Sequence, residues 1–138
     1  MRFFFYGTLM AGSGNAVARG VHGRMLPGVP GAVAGRLYGI ADPQGWYPAL
    51  LPGEGVVHGF VHEAAPDFTE ADLALLDGWE GAEYHRRNLG VRLDSGVTVM
   101  AQAYVWAGAL PAGAEPIAEG DFAAFLHQRG LKAHGEGD

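Results

Sequence analysis

The residue of this chain best placed to move a proton is Glu80. It lies in the stretch Asp77-Gly78-Trp79-Glu80-Gly81-Ala82-Glu83-Tyr84-His85-Arg86, with a glycine on either side and an indole next to it. Gly78 and Gly81 make a flexible corner. An indole that keeps water from Glu80 raises the pKa of this acid toward the range where one carboxylate can both take and return a proton. The plainer reading is a surface loop after a helix with solvated acids, and the residue types alone leave both open. Glu83 and Asp77 are rivals for the acid/base role, although an acid at a helix end is better suited to capping local backbone N–H groups.

A second constellation opens the chain. Phe3-Phe4-Phe5-Tyr6 runs directly into Gly7-Thr8-Leu9. Consecutive aromatics fit a strand covered on both faces at the centre of a sheet. The Gly-Thr pair after it turns the chain and bares the backbone N–H groups of Gly7, Thr8 and Leu9, which form a concavity suited to an anion. Tyr6, last on the strand, is either a core aromatic or a hydroxyl donor at the rim of that concavity.

Other chemistries lack their residues. The chain has no cysteine, which removes disulfides, thiolate metal sites and a cysteine nucleophile and is compatible with a cytoplasmic setting. Its net charge of −6 argues against nucleic acid. Lys132 is the only lysine, so Schiff-base chemistry is not expected. His58 and His62 on one strand would stand about 13 Å apart, too far for one metal ion. Gly12-Ser13-Gly14 lacks the third glycine and the βαβ setting of a dinucleotide fingerprint. No P-loop or Gly-x-Ser-x-Gly elbow is present. No run of about 18 apolar residues exists to cross a membrane, and Phe3-Phe4-Phe5 does not make a signal segment.

The elements that must position Glu80 and the Gly7 loop follow from pattern. At 138 residues the chain is read as one domain over 1–131, with a disordered tail at 132–138. Ser13 to Arg19 could hold a helical turn. Strands are expected at Val21 to Leu26, Ala32 to Ile40 and Val56 to Glu63, separated by a loop over Asp42 to Ala49 and a turn at Pro52-Gly53-Glu54-Gly55. The Trp46 and Tyr47 aromatics in that loop read as a pocket wall, with a protein interface as the other reading. A helix opens at Pro66 to Asp72, buries Phe68, Leu73 and Leu76, and stops near Asp77-Gly78. Strands at His85 to Leu93 and Val97 to Trp106 form a hairpin about Asp94-Ser95-Gly96. A last helix spans Ala118 to Arg129 and ends at Gly130. The class is α+β, a curved mixed sheet or small barrel with two helices beside it.

Taken in order, Tyr6-Gly7-Thr8-Leu9, Trp46-Tyr47-Pro48-Ala49, Gly59, Leu76-Asp77-Gly78-Trp79-Glu80-Gly81, Tyr84-His85-Arg86 and the weaker Gly120-Asp121-Phe122 resemble the gamma-glutamyl cyclotransferase family. The likeness runs over about residues 1 to 126 and is greatest to small bacterial members and gamma-glutamylamine cyclotransferases. It implies a small mixed β-barrel with flanking helices. It also implies an intramolecular attack that releases 5-oxoproline and a free amine or amino acid, with no metal or cofactor. By the same resemblance Glu80 is the acid/base, and Tyr6, Gly7, Thr8, Leu9, Tyr47, Tyr84 and Arg86 surround a small γ-glutamyl substrate. Arg86 has a structural reading as well, because an arginine inside a sheet is usually paired with a carboxylate. The spacer of Ala82-Glu83 before Tyr84 is shorter than in some relatives, which keeps Glu83 in contention. The alternative from another class is a non-catalytic module that binds an amino-acid-like ligand on the same fold. A further one is hydrolysis or transfer of a related amide.

Overall fold

The computed structural model describes residues 1–7, 20, 23–43 and 45–133, with the backbone alone at 79 and 80. Its elements are β1 (Arg2–Phe5), β2 (Val29–Asp42), β3 (Gly45–Glu63), α1 (Glu70–Glu80), β4 (Tyr84–Leu93), β5 (Thr98–Trp106), β6 (Glu115–Pro116) and α2 (Phe122–Arg129). The strands run in the order β3-β1-β5-β4-β2-β6, and β2 also pairs with β3, so five strands close into a barrel. β1 and β5 are parallel and the other pairings antiparallel, which makes the barrel mixed. The seam between β2 and β4 is short: its register comprises Gly31 opposite Leu93 and Ala32 opposite Arg92.

The opening aromatics follow from this closure. β1 lies between β3 and β5. Phe4 and Tyr6 pack into the barrel interior with Val57, Val61, Val91 and Ala101. Phe3 and Phe5 alternate to the other face, where they meet Leu76 of α1 and Tyr104. A strand with a packed interior on one side and a helix on the other has no polar face to offer, so three phenylalanines in a row are tolerated.

α1 begins with a capping box: Thr69 accepts from the Asp72 N–H, and the Asp72 carboxylate accepts from the Thr69 N–H at 2.8 Å. That backbone hydrogen bond, the largest cause, holds the Asp72 carboxyl below its ordinary pKa. Leu76 is fully buried beneath the helix. Leu76→Ala is expected to cost about 2–5 kcal/mol, read as a lowered midpoint in thermal or denaturant unfolding.

Several boundaries differ from the sequence expectation. The segment expected as a loop over 42–49 is strand, because Asp42 pairs with Gly45 across a two-residue hairpin and Trp46 to Ala49 continue as β3. Nor does Pro52-Gly53-Glu54-Gly55 end the strand. The register slips between Ala34 and Arg36 there, and Gly53 and Gly55 take positive φ, so the chain bulges and continues. The Val56 to Glu63 strand is the second half of β3. Of the expected Val21 to Leu26 strand, Val21 and His22 lie outside the described residues, and among the others only a bridge at Met25 appears. The 94–96 hairpin stands, and the last helix is shorter than expected, capped by Asp121 and ended by left-handed Gly130. The expected helical turn at 13–19, and residues 134–138 of the expected tail, lie outside the described residues.

Candidate active site

The corner that carries Glu80 is built by the end of α1 and the start of β4. The helix does not stop at Asp77-Gly78; it runs through Gly78 and Trp79 to Glu80 and is terminated by Gly81 at φ 91°. Only glycine takes that backbone without strain, and its N–H closes on the Asp77 carbonyl at 3.2 Å. The corner is then pinned on its far side. The Tyr84 N–H donates to the Gly81 carbonyl at 3.3 Å, and the Ala107 N–H donates to the Glu83 carbonyl at 2.7 Å. The side chains of Trp79 and Glu80, with Thr8 and Leu9, lie outside what the structure describes, and so does the expected shielding of Glu80 by Trp79.

Asp77 does not act as a side-chain cap. Arg86 donates to it through Nε at 3.0 Å and Nη2 at 3.4 Å, and the Tyr104 hydroxyl donates to the same carboxylate. Arg86 also donates through Nη1 to the Gln102 side chain. The hairpin register explains the meeting: Arg86 lies directly opposite Tyr104 on β5, under the last turn of α1. The side chains of Arg86 and Asp77 retain 29% and 41% exposure. An ion pair this wet adds at most about 1 kcal/mol. Its consequence is geometric, tying the turn before Glu80 to two strands.

Pro48 on β3 joins this corner to the opening strand. The Tyr84 hydroxyl donates to the Pro48 carbonyl. Gly7 lies so close to Pro48 that a Cβ on residue 7 would stand 2.3 Å from the Pro48 ring. That close approach is why residue 7 must be glycine. Tyr84 packs edge-on against Trp106 with ring centroids 5.2 Å apart, and Tyr47 lies against the same indole at 6.2 Å. Burial, followed by the nearby charges of Asp42 and Glu83, raises the Tyr47 pKa and keeps its phenol protonated. Trp46 alternates to the opposite side and packs against Phe125 of α2, so of the two aromatics expected on a pocket wall only Tyr47 lies on this side. Tyr6 is buried in the barrel, and its hydroxyl donates to the Tyr104 carbonyl.

Of the site residues expected from sequence, the described parts of Gly7, Tyr47 and Tyr84 therefore gather around Pro48 and Trp106. Arg86 is held one step away by Asp77. Sequence reasoning missed the Asp77–Arg86–Tyr104–Gln102 cluster. Its signal lay in the 94–96 turn, which fixes the cross-strand register and so the partner of residue 86. A cavity of about 510 Å³ opens beside this cluster, lined by Asp77, Tyr84, His85, Arg86, Arg87 and Tyr104. Among the described residues no group of three His, Cys, Asp or Glu could hold a metal ion, and no helix is long and apolar enough to cross a membrane.

A mixed five-stranded barrel with a glycine-ended first strand and an acid corner beside it defines a recognisable class. The chain belongs to the family described as gamma-glutamyl cyclotransferase, AIG2-like, whose model matches residues 3–124. Among solved structures it is similar to YkqA from Bacillus subtilis, with a TM-score of 0.69 and 22% identity. That match covers 94% of this chain but 42% of YkqA, so the chain spans about two-fifths of that protein. An AIG2-like protein from Mus musculus matches with a TM-score of 0.60 and 24% identity, over 99% of this chain and 87% of the mouse protein. YtfP from Escherichia coli matches at 27% identity and a TM-score of 0.58, over 88% and 95% of the two chains. None of the curated proteins matches the sequence.

Proposed function

We propose that the protein cyclises L-γ-glutamyl compounds, releasing 5-oxoproline and a free amine or amino acid. The observation that carries this reading is the convergence on Pro48 of two segments some seventy residues apart, the Gly7 end of β1 and the Glu80 corner through Tyr84. Family membership supports it further. In the reaction the substrate α-nitrogen attacks its own γ-carbonyl carbon, a C–N bond forms, and the C–N bond to the leaving nitrogen breaks. Two protons leave the attacking ammonium and two arrive on the leaving nitrogen, which departs as an ammonium ion. Glu80 relays these protons. The backbone N–H groups of Gly7, Thr8 and Leu9 receive the α-carboxylate or the oxyanion. Because the nucleophile is tethered to its electrophile, holding a near-attack conformer supplies much of the acceleration.

The test is incubation with a panel of γ-glutamyl amino acids, peptides and amines, with 5-oxoproline followed by mass spectrometry. Release from at least one member is expected. If none is cleaved while glutamate or 5-oxoproline still raises the melting temperature, the protein is a binding module instead.

A further inference from the structure

A smaller cavity, of about 140 Å³, lies at the bulge where β2 and β3 lose register, and Arg36, Tyr38, Glu54 and Pro116 are among its lining residues. It shares no lining residue with the cavity at Asp77. The slip leaves Gly35 and residues 52–55 outside the β2–β3 register. On the other edge of β2, Tyr38 pairs with Pro116, and the Ile117 N–H donates to the Leu37 carbonyl at 2.8 Å. Paired backbone therefore frames the cavity on both sides of β2.

Three polar side chains at this cavity have no partner within the fold. Among the described residues, the Arg36 guanidinium, the Glu54 carboxylate and the Tyr38 hydroxyl make no hydrogen bond or ion pair. Arg2, Arg24, Arg86 and Arg129, by contrast, each hold a carboxylate. Arg36 and Glu54 carry opposite charges and line one cavity, yet they do not pair with each other. Nor is the arginine loosely placed. Its stem lies against Gly53, where a Cβ would stand 2.9 Å from Cγ and from Nε, so the bare residue 53 makes room for it. A cation ordered before a ligand arrives loses less freedom on binding.

We infer that this cavity binds a small zwitterion, a free α-amino acid, with its carboxylate on Arg36 and its ammonium on Glu54. The guanidinium offers a carboxylate a planar two-point fit, and the Glu54 carboxylate accepts from the ammonium. A ligand with both charges satisfies both groups, whereas one with a single charge leaves the other group unmatched. The half-buried Tyr38 adds a hydroxyl and an apolar ring face at the same cavity. None of this depends on the cyclotransferase reading.

The test is an amide NMR titration of the full chain with glycine and L-alanine, with acetate and methylamine as single-charge controls. Saturable shifts are expected at the Gly35, Gly53 and Gly55 amides with at least one of the two amino acids. Its Kd should lie about tenfold or more below that of either control. Arg36→Gln and Glu54→Gln should each weaken it by about tenfold. Glu54→Gln keeps the unfolding midpoint, because that carboxylate has no partner to lose, so it decides the matter even if Arg36→Gln disturbs the bulge. Shifts confined to Gly7, Gly81 and Tyr84 would place the amino acid at the acid corner and overturn this site. Acetate or methylamine binding as well as L-alanine overturns the zwitterion, as does binding that neither substitution weakens. Absence of any saturable shift with glycine and L-alanine overturns the inference outright.

Discussion

Glu80→Gln is expected to lower 5-oxoproline release by more than about 100-fold, with the melting temperature nearly unchanged. The amide keeps the size of the carboxylate and removes its ability to accept a proton. The backbone of the corner is held by other groups. Gly81 ends α1 through its own backbone, the Ala107 N–H holds the Glu83 carbonyl, and Asp77 makes an ion pair with Arg86. A large loss of rate with an intact fold therefore separates chemistry from scaffolding. Unimpaired release by Glu80→Gln would remove Glu80 from the mechanism and turn attention to Glu83, which shares the corner. A parallel Glu83→Gln variant makes the comparison direct.

The second large effect is on the scaffold. Gly59→Ala is expected to destabilise the protein by about 3 kcal/mol or more, seen as a lower unfolding midpoint and a fall in folded yield. A Cβ at residue 59 would stand 2.3 Å from the Phe5 carbonyl oxygen and 2.8 Å from the Phe4 ring. A flexible side chain could move away, but here the obstacle is backbone of the central strand, which is paired with β3 through residues 2–5. Relief requires β1 to shift, and the Gly7 end shifts with it. Activity should therefore fall further than the folded fraction does. A Gly59→Ala protein with the original midpoint would mean that β1 has slack that its buried aromatics do not suggest.

Much of this architecture was legible because local pattern and tertiary setting agree. The aromatic run of β1, the capping residues within 66–72 and the turn at 94–96 each specify one local structure, and each lies where expected. The misread segments are those where glycine and proline suggested a break but pairing prevailed. Pro48 sits within β3 because it pairs with Gly39 of β2, and Pro52 falls in the unpaired bulge after Leu51, where positive φ at Gly53 and Gly55 takes up the slip before the ladder resumes at Val56. The helix end was misplaced for a similar reason: Gly78 costs helix propensity, yet the Asp77 anchor to Arg86 and Tyr104 holds the turn together until Gly81. The candidate site was expected from two motifs, at Gly7 and at Glu80. Their common neighbour Pro48 was not, because only closure of the barrel brings position 48 between them.

The short seam between β2 and β4 is one of two places where the barrel is joined by few residue pairs, the other being Phe3 opposite Gln102 between β1 and β5. Along the β2–β3 and β4–β5 ladders, widening would break many consecutive pairs. Residues 84–90 of β4 have no β2 partner in the pairing that joins Gly31 to Leu93 and Ala32 to Arg92. The stretch from Tyr84 to Arg87 is thus fastened on its β5 side and unzipped on the other. Under the cyclisation proposed above, a bulkier departing group would meet this lip, whose opening costs few ladder hydrogen bonds. On that reading, tolerance for different partners of the glutamyl group is a property of this edge rather than of the β2–β3 ladder.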